Sequence, residues 1–513
     1  MSLRKPVVFG CICALLSVLT GCATPLPEYD VPPSNAIEAP PGGLLGTYMD
    51  ARPAGKPSTS GFYMLDRGVD ALSARLQLID AAQSSLDLQY YIYNNDVTGG
   101  LIAERILAAA DRGVRVRFLL DDLGNRLADE TVATLDRHTN IELRLFNPVR
   151  MRAPWLSWAS KIIEFGRINN RMHNKVMIID NRALITGGRN IGDEYFALSE
   201  TDFRDIDLLG IGPISQAAST SFDAFWNSPS AIPVSAVLGN ARQGALELTR
   251  DNLVLLRQRV ERKPYAKAME DSTFTEALSG GRLPLHWGRA QWLADPPGKA
   301  NANSANNEEP YLARILANHM KEVRTELLMK SAYFIPGEKG VELLTGMAAR
   351  GVDVSVLTNS LATTDVLAVH SSYAQYRRPL LRGGVRLWEL QPRMEEQTDS
   401  STFIGASEAS LHAKSFVFDR SKLFVGSINS DPRSIQLNTE AGVMVYQAEL
   451  AQRAAQLFQR WTSDDYAFEV QLTDRGQLQW QRGDRYWSSE PEAGELRRLK
   501  AWMIGWLPIE GQM

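Results

Sequence analysis

Apolar residues along this chain change their spacing in a way that marks alternating helices and strands. Over residues 71–82 they recur at helical intervals, and from Leu86 through Leu88 and Tyr90 to Ile92 they alternate with polar residues as one face of a strand does. A helix over 100–111 and a strand over 114–120 follow. The second half repeats the succession, with a helix near 311–323, a strand at 326–331, a helix near 339–349 and a strand at 352–357. Such alternation predicts an α/β fold in which helices cover a sheet.

The two successions are copies of each other. His173-Asn-Lys175 followed by Asp180 matches His412-Ala-Lys414 followed by Asp419, and each piece leads to a polar turn, Gly187-Gly188-Arg189-Asn190 or Gly426-Ser427-Ile428-Asn429. His412, Asp419 and Asn429 each lie 239 residues after their counterparts, and Gly351 lies 238 after Gly113 in a matching helix-to-strand junction. A register held this long is expected of one duplicated unit. The expectation is two tandem α/β domains, each a mixed sheet flanked by helices, related by a pseudo-twofold with one site at their interface.

Composition narrows the class. With 513 residues and 44% apolar content the chain can build two cores, and a net charge of −4 offers no global attraction for nucleic acid. Residues 1–21 carry Arg4 and Lys5, an apolar run over 7–19, and small residues before Cys22, the pattern of an exported leader. All three cysteines (Cys11, Cys13, Cys22) fall in this region, so the remainder has no pair for a disulfide. The expected organisation is a leader at 1–21, a flexible tether at 22–60, an N-terminal domain at 61–235, a connection at 236–305, a C-terminal domain at 306–490 and an amphipathic segment at 491–513. Lys299, in the glycine- and asparagine-rich part of the connection, reads as a solvated loop lysine.

The duplicated motifs carry chemistry. Both continue as short apolar strands, Val176-Met-Ile-Ile and Ser415-Phe-Val-Phe, whose period of two places His173 with Lys175, and His412 with Lys414, on one face. Asp180 and Asp419 have the opposite parity and open the turns, so within these catalytic motifs they are expected to brace the hairpin. Two such halves facing each other would supply two imidazoles, two ammonium groups and the amides of Asn190 and Asn429, with Gly188 and Ser427 of the turns as further phosphate-binding candidates. A phosphodiester suits that set: one histidine attacks phosphorus, the other protonates the departing oxygen, and the cations and donors stabilise the remaining oxygens. Different protonation of the two rings calls for carboxylates on their far nitrogens. Glu440 is the candidate beside the C-terminal motif, and Asp205 or Asp207 in the N-terminal half. The ammonium beside each histidine repels cations, so neither a catalytic metal nor a cofactor is expected.

The paired motifs, with Gly-Gly-Arg-Asn190 and Gly-Ser-Ile-Asn429, resemble those of the phospholipase D superfamily over residues 61–466. Residues 170–175, 187–196 and 358–370 are similar to bacterial cardiolipin synthases of the C type. The resemblance implies a phosphatidyl group carried on histidine and passed from phosphatidylethanolamine to phosphatidylglycerol, with His173 as nucleophile and His412 as general acid, although the near symmetry leaves the reverse open. Hydrolysis to phosphatidate, phosphodiesterase or nuclease action, and non-catalytic lipid binding are the competing readings. The sequence before Cys22 resembles a bacterial lipoprotein processing box, which implies acylation of Cys22 and a lipid-anchored protein of the cell envelope facing the periplasm. Inner or outer membrane, and any helper protein, stay unidentified. One departure is Arg189, where the second copy has Ile428.

His370 and Arg377 share a helical face and form a candidate headgroup-binding pair, while His138, His286 and His319 lack such a setting. Aromatic and basic residues at 154–158, 161–165 and 502–507 suit either a membrane interface or core packing.

Overall fold

A computed structural model of the chain describes residues 32–38, 41–149, 152, 165–199, 201–300, 312–392 and 408–506. The expected leader, Cys22, and the aromatic runs at 154–158 and 161–164 lie outside these residues.

Each half builds the same sheet. In the N-terminal half the parallel strands Ser85–Tyr90, Arg115–Asp121 and Ile141–Phe146 are followed on one side by Ala231–Pro233. On the other side come the antiparallel strands Val176–Ile179, Ala183–Gly187, Asp207–Ile211 and Ser60–Leu65. The C-terminal half repeats this with Glu326–Ser331, Asp353–Asn359 and Arg386–Leu390 at its parallel centre. Lys414–Phe418, Lys422–Gly426, Ala441–Tyr446 and His286–Ala294 complete one side. The first strand of each set pairs with the other, Ser60–Phe62 against His286–Gly288, so the two sheets are hydrogen-bonded into one.

The packing explains the burial pattern. Helices Gly68–Ala81 and Val97–Asp111 bury Leu72, Leu78, Ile102 and Ile106 on one face of the N-terminal sheet. Between the halves a shared core joins Phe222 and Trp226 of helix Pro213–Trp226 to Leu423, Val425, Phe458 and Trp461. Burying each large apolar side chain contributes about 1.5–3 kcal/mol, so this core alone resists separation of the halves.

Several expected boundaries differ. The tether stretch includes helix Gly43–Asp50, whose Tyr48 is buried and donates its hydroxyl to the Leu278 carbonyl oxygen at 3.0 Å. The 236–305 connection holds helices Ala245–Val260, Pro264–Glu270 and Thr273–Ser279, which close over the N-terminal core through Val260, Tyr265 and Phe274. The loop-like reading rested on the proline, glycine and asparagine of residues 296–304, which follow these helices, whereas one face of each helix is apolar enough to dock.

Candidate active site

The two motif strands end in matched hairpins. Asp180 and Asn181, like Asp419 and Arg420, have φ between 48° and 52°, and Arg182 and Ser421 donate their amides back to Ile179 and Phe418. Two consecutive left-handed residues make a type I′ turn, the tightest connection that keeps the right-handed twist of the strands. The Asp180 carboxylate accepts the backbone N–H groups of Gln83, Ser84 and Ser85 at 2.7–3.2 Å, and Asp419 those of Arg324, Thr325 and Glu326. Both aspartates therefore clamp the start of the neighbouring central strand. They stand at the far end of the hairpin from the histidines, as their parity implies, and not among the reacting groups.

At the other end, the chain just before each motif runs alongside the other half. Met172 pairs in parallel with Thr439, and His173 donates its amide to the Thr439 carbonyl at 2.9 Å. Symmetrically, strand Glu408–Leu411 pairs in parallel with Thr201–Arg204, and the His412 amide donates to Arg204 at 2.9 Å. The residue after Thr439 is Glu440, and the residue after Arg204 is Asp205. Each carboxylate is thereby delivered to the histidine of the opposite half.

The geometry follows. Nδ1 of His173 lies 2.9 Å from Glu440 Oε2, and Nδ1 of His412 lies 2.6 Å from Asp205 Oδ2. The expected pairing had each acid serving its own half; the crossed strands reverse it. Tying Nδ1 leaves Nε2 on the side away from the carboxylate, and neither Nε2 has a protein partner among the described residues. Tyr91 packs edge-on to His173 at 5.0 Å, and His412 is stacked on Phe203 at 5.3 Å with Tyr195 at its edge, so both ring planes are fixed. Lys175 and Lys414 each donate Nζ to the carbonyl of their own motif histidine.

The remaining candidates divide. Asp207 is no histidine partner: it is held by Arg75 at 2.9 Å and by Arg189 at 3.4 Å, deep in the N-terminal core. Gly188 and Ser427, candidates for phosphate, both lie against the carboxylates. Ser427 donates its hydroxyl to Glu440, while a Cβ on Gly188 would sit 2.2 Å from Asp205 Oδ1. Asn190 is engaged on both sides, accepting from Ile92 N and donating to the Tyr195 hydroxyl at 2.8 Å. Asn429 accepts from Tyr333 N through Oδ1, and its amide nitrogen has no protein acceptor among the described residues. Arg189, the departure from the repeat, is buried behind the site, donating to the carbonyls of Leu65, Tyr195 and Asp205. His370 and Arg377 are brought together as expected, but among acids: the Arg377 guanidinium bonds Glu389 and Glu490 and the His370 ring.

Lys299 departs furthest from its sequence reading. It is buried and donates to Asp295 at 2.7 Å, while Asp295 accepts the Glu440 amide at 3.0 Å. The 295–299 turn thus braces the carboxylate behind His173. A lysine four residues after an aspartate was the available signal, masked by the polar residues around it.

The electrostatics are asymmetric. Burial, then Lys175 and Lys414, holds His173 well below the ordinary imidazole value. Burial and Lys414 bring His412 down to about 4, with the Asp205 carboxylate opposing them. Burial pushes Glu440 up to about 7 against the pull of Lys175 and Ser427. Burial also acts to raise Asp205, but His412 and Lys414 outweigh it and keep that acid below its usual range. Burial lowers Lys414 to about 8 and Lys175 well below its usual value. One ring is thus more firmly neutral, and the other sits on an ionised acid.

The family model described as the PLD-like domain of cardiolipin synthase matches residues 76–226 and 316–462, the two halves in turn. The chain is 36% identical over 461 residues, 88% of its length and 96% of the relative's, to cardiolipin synthase C of Escherichia coli. It is 25% identical to a cardiolipin synthase of Staphylococcus aureus over 79% of the chain and 67% of the relative. In fold it resembles the crystal structure of phosphatidylserine synthase from Haemophilus influenzae, with a TM-score of 0.54 at 13% identity over 85% of this chain and 90% of that one.

Proposed function

The chain belongs to the phospholipase D-like family of cardiolipin synthases, and from that premise we propose that it forms cardiolipin by moving a phosphatidyl group between alcohols through a histidine-bound intermediate. The crossed carboxylate–histidine pairs are the observation that supports this most, because they orient two imidazoles that lie near enough to act on each other's charge and that differ in proton affinity.

In the proposed reaction the Nε2 lone pair of His173 attacks phosphorus as the bond to the headgroup oxygen breaks. That oxygen takes the proton of His412 Nε2. Burial holds His412 toward its neutral form, and the negative charge of a bound diester together with ionised Asp205 favours its imidazolium. Lys175, Lys414 and the free Asn429 amide stabilise the non-bridging oxygens. The acceptor hydroxyl then loses its proton to His412, forms the new P–O bond from the vacated side and expels His173. Both rings are backed by an acid, but Asp205 behind His412 is held ionised whereas Glu440 behind His173 is raised to about 7, which favours these roles over the reverse assignment.

Phosphatidylethanolamine as donor and phosphatidylglycerol as acceptor are part of the proposal, as is anchoring through acylated Cys22 on the periplasmic side of a bacterial envelope. Among the described residues no helix is long and apolar enough to cross a membrane. Purified protein given labelled phosphatidylethanolamine and phosphatidylglycerol should yield cardiolipin and ethanolamine. Phosphatidate as the sole product would replace transfer by hydrolysis.

A further inference from the structure

Helix Glu495–Ile504 near the C-terminus is turned inside out. An amphipathic helix on a soluble domain normally hides its apolar face. Here Ala501 is the buried position, and Leu496, Leu499, Trp502 and Met503, with Trp506 just beyond, are each between 49% and 74% exposed. Leu496, Leu499, Met503 and Trp506 follow one another at steps of three, four and three, so they form one continuous stripe. Half of the ten large hydrophobic residues most exposed among the described residues lie on this one segment, 496–506. The stripe is edged by Lys500 on one flank and Arg498 on the other, and a 470 Å³ cleft beside Trp502 and Trp506 is lined by Arg377, Arg378, Arg498 and His370, with Glu490 as its acid. Nε of Arg498 is buried without a hydrogen-bond partner.

The helix is also wired to the reacting centre. Arg497 donates to the carbonyls of Leu361, at 2.6 Å, and Thr364, and Ser371 donates to the Ala501 carbonyl at 2.9 Å. That same 360–365 loop follows directly on Asn359, the end of its strand, which exchanges two 2.8 Å hydrogen bonds with Leu411, the residue before His412. It also contains Asp365, bonded to the Tyr333 hydroxyl at 2.7 Å and close enough to act on the Lys414 charge. Leu361 and Ala501 share only a small buried cluster with Ala493, so packing alone holds the helix weakly.

We propose that this face docks on the surface of an anionic phospholipid bilayer and that, by doing so, it holds the 360–365 loop and the His412 motif against the lipid. Tryptophan, with an apolar body and one N–H, suits the headgroup boundary, and the flanking Lys500, Arg498 and Arg378 complement lipid phosphates. A partner protein is disfavoured by the cationic flanks and by an apolar stripe that runs unbroken from Leu496 to Trp506, with Glu495 the acid at its start. The proposal deepens the lipid-exchange reading and rests on it only where turnover is the readout.

The test uses the full chain with vesicles of phosphatidylglycerol and phosphatidylethanolamine whose acyl chains are brominated. Wild-type tryptophan emission should be quenched by the brominated lipid, and the double variant Trp502→Ser/Trp506→Ser should lose that part of the quenching. Turnover of vesicle phospholipid should fall in the variant, with turnover of a soluble short-chain phosphodiester retained. Equal quenching in variant and wild type, as a face covered by protein or left in water would give, overturns the inference. Fluorescence does not depend on catalysis, so loss of the predicted quenching difference condemns the docking face, whereas an inactive wild type with that difference intact condemns only the transferase reading.

Discussion

Nδ1 of His173 lies 2.9 Å from a carboxylate oxygen of Glu440, a residue 267 positions away in the other half of the chain. Neither half can orient its own histidine, so the site exists only when both copies are assembled. The Ser427 hydroxyl donates to Glu440 and favours its ionised form. Ser427→Ala should raise the Glu440 pKa beyond about 7, lowering kcat/KM at neutral pH with recovery at higher pH. A pH profile superimposable on the wild type would remove Glu440 from the ascending limb.

Gly188 has no room for a side chain, because its Cβ would fall 2.2 Å from the Asp205 carboxylate. Gly188→Ala should push Asp205 off His412 and cost roughly 10²–10⁴-fold in turnover, the usual worth of a positioned acid. A substrate with a p-nitrophenolate leaving group needs no protonation, so its first step should be largely spared. An equal loss on both substrates would show that the carboxylate does not serve the acid.

Lys414 titrates near 8 because burial disfavours its charge. The ammonium is present below that pH and lost above it, so kcat/KM should descend through about pH 8. Arginine stays charged far beyond this range. A Lys414→Arg enzyme that keeps the same descending limb would assign it to another group.

Asp180 and Lys175 belong to the same motif yet should fail differently. Asp180→Ala strands the amides of Gln83, Ser84 and Ser85, at a cost of roughly 2–4 kcal/mol in unfolding experiments. Lys175→Ala should unfold at or near the wild-type midpoint and lose turnover. Matching stability for the two variants would contradict the clamp.

Much of this was legible in the chain itself. The alternation of Leu86, Leu88 and Tyr90 marked a central strand, and the 239-residue register marked the duplication and both histidines. The parity of Asp180 and Asp419 placed them at the hairpin end. What stayed hidden was long-range. The exchange of Glu440 and Asp205 depends on Met172 lying beside Thr439 and Leu411 beside Arg204, contacts that no local pattern encodes. Asp207 has the same acidic character as Asp205, but strand alternation turns it to Arg75 and Arg189 in the core. Lys299 and Tyr48 sit in stretches whose glycine and proline content resembles a linker, and only tertiary docking buries them.

The central claim is that His173 carries the phosphatidyl group while His412 handles protons. It is tested most directly by mixing the His412→Ala variant with a radiolabelled phosphatidyl p-nitrophenyl ester, quenching the reaction and mapping the labelled peptide. The leaving group needs no acid and the acceptor finds no base, so label should accumulate on the peptide containing His173, stable in alkali and released by acid. No labelled protein, or label at a residue other than His173, would contradict the account.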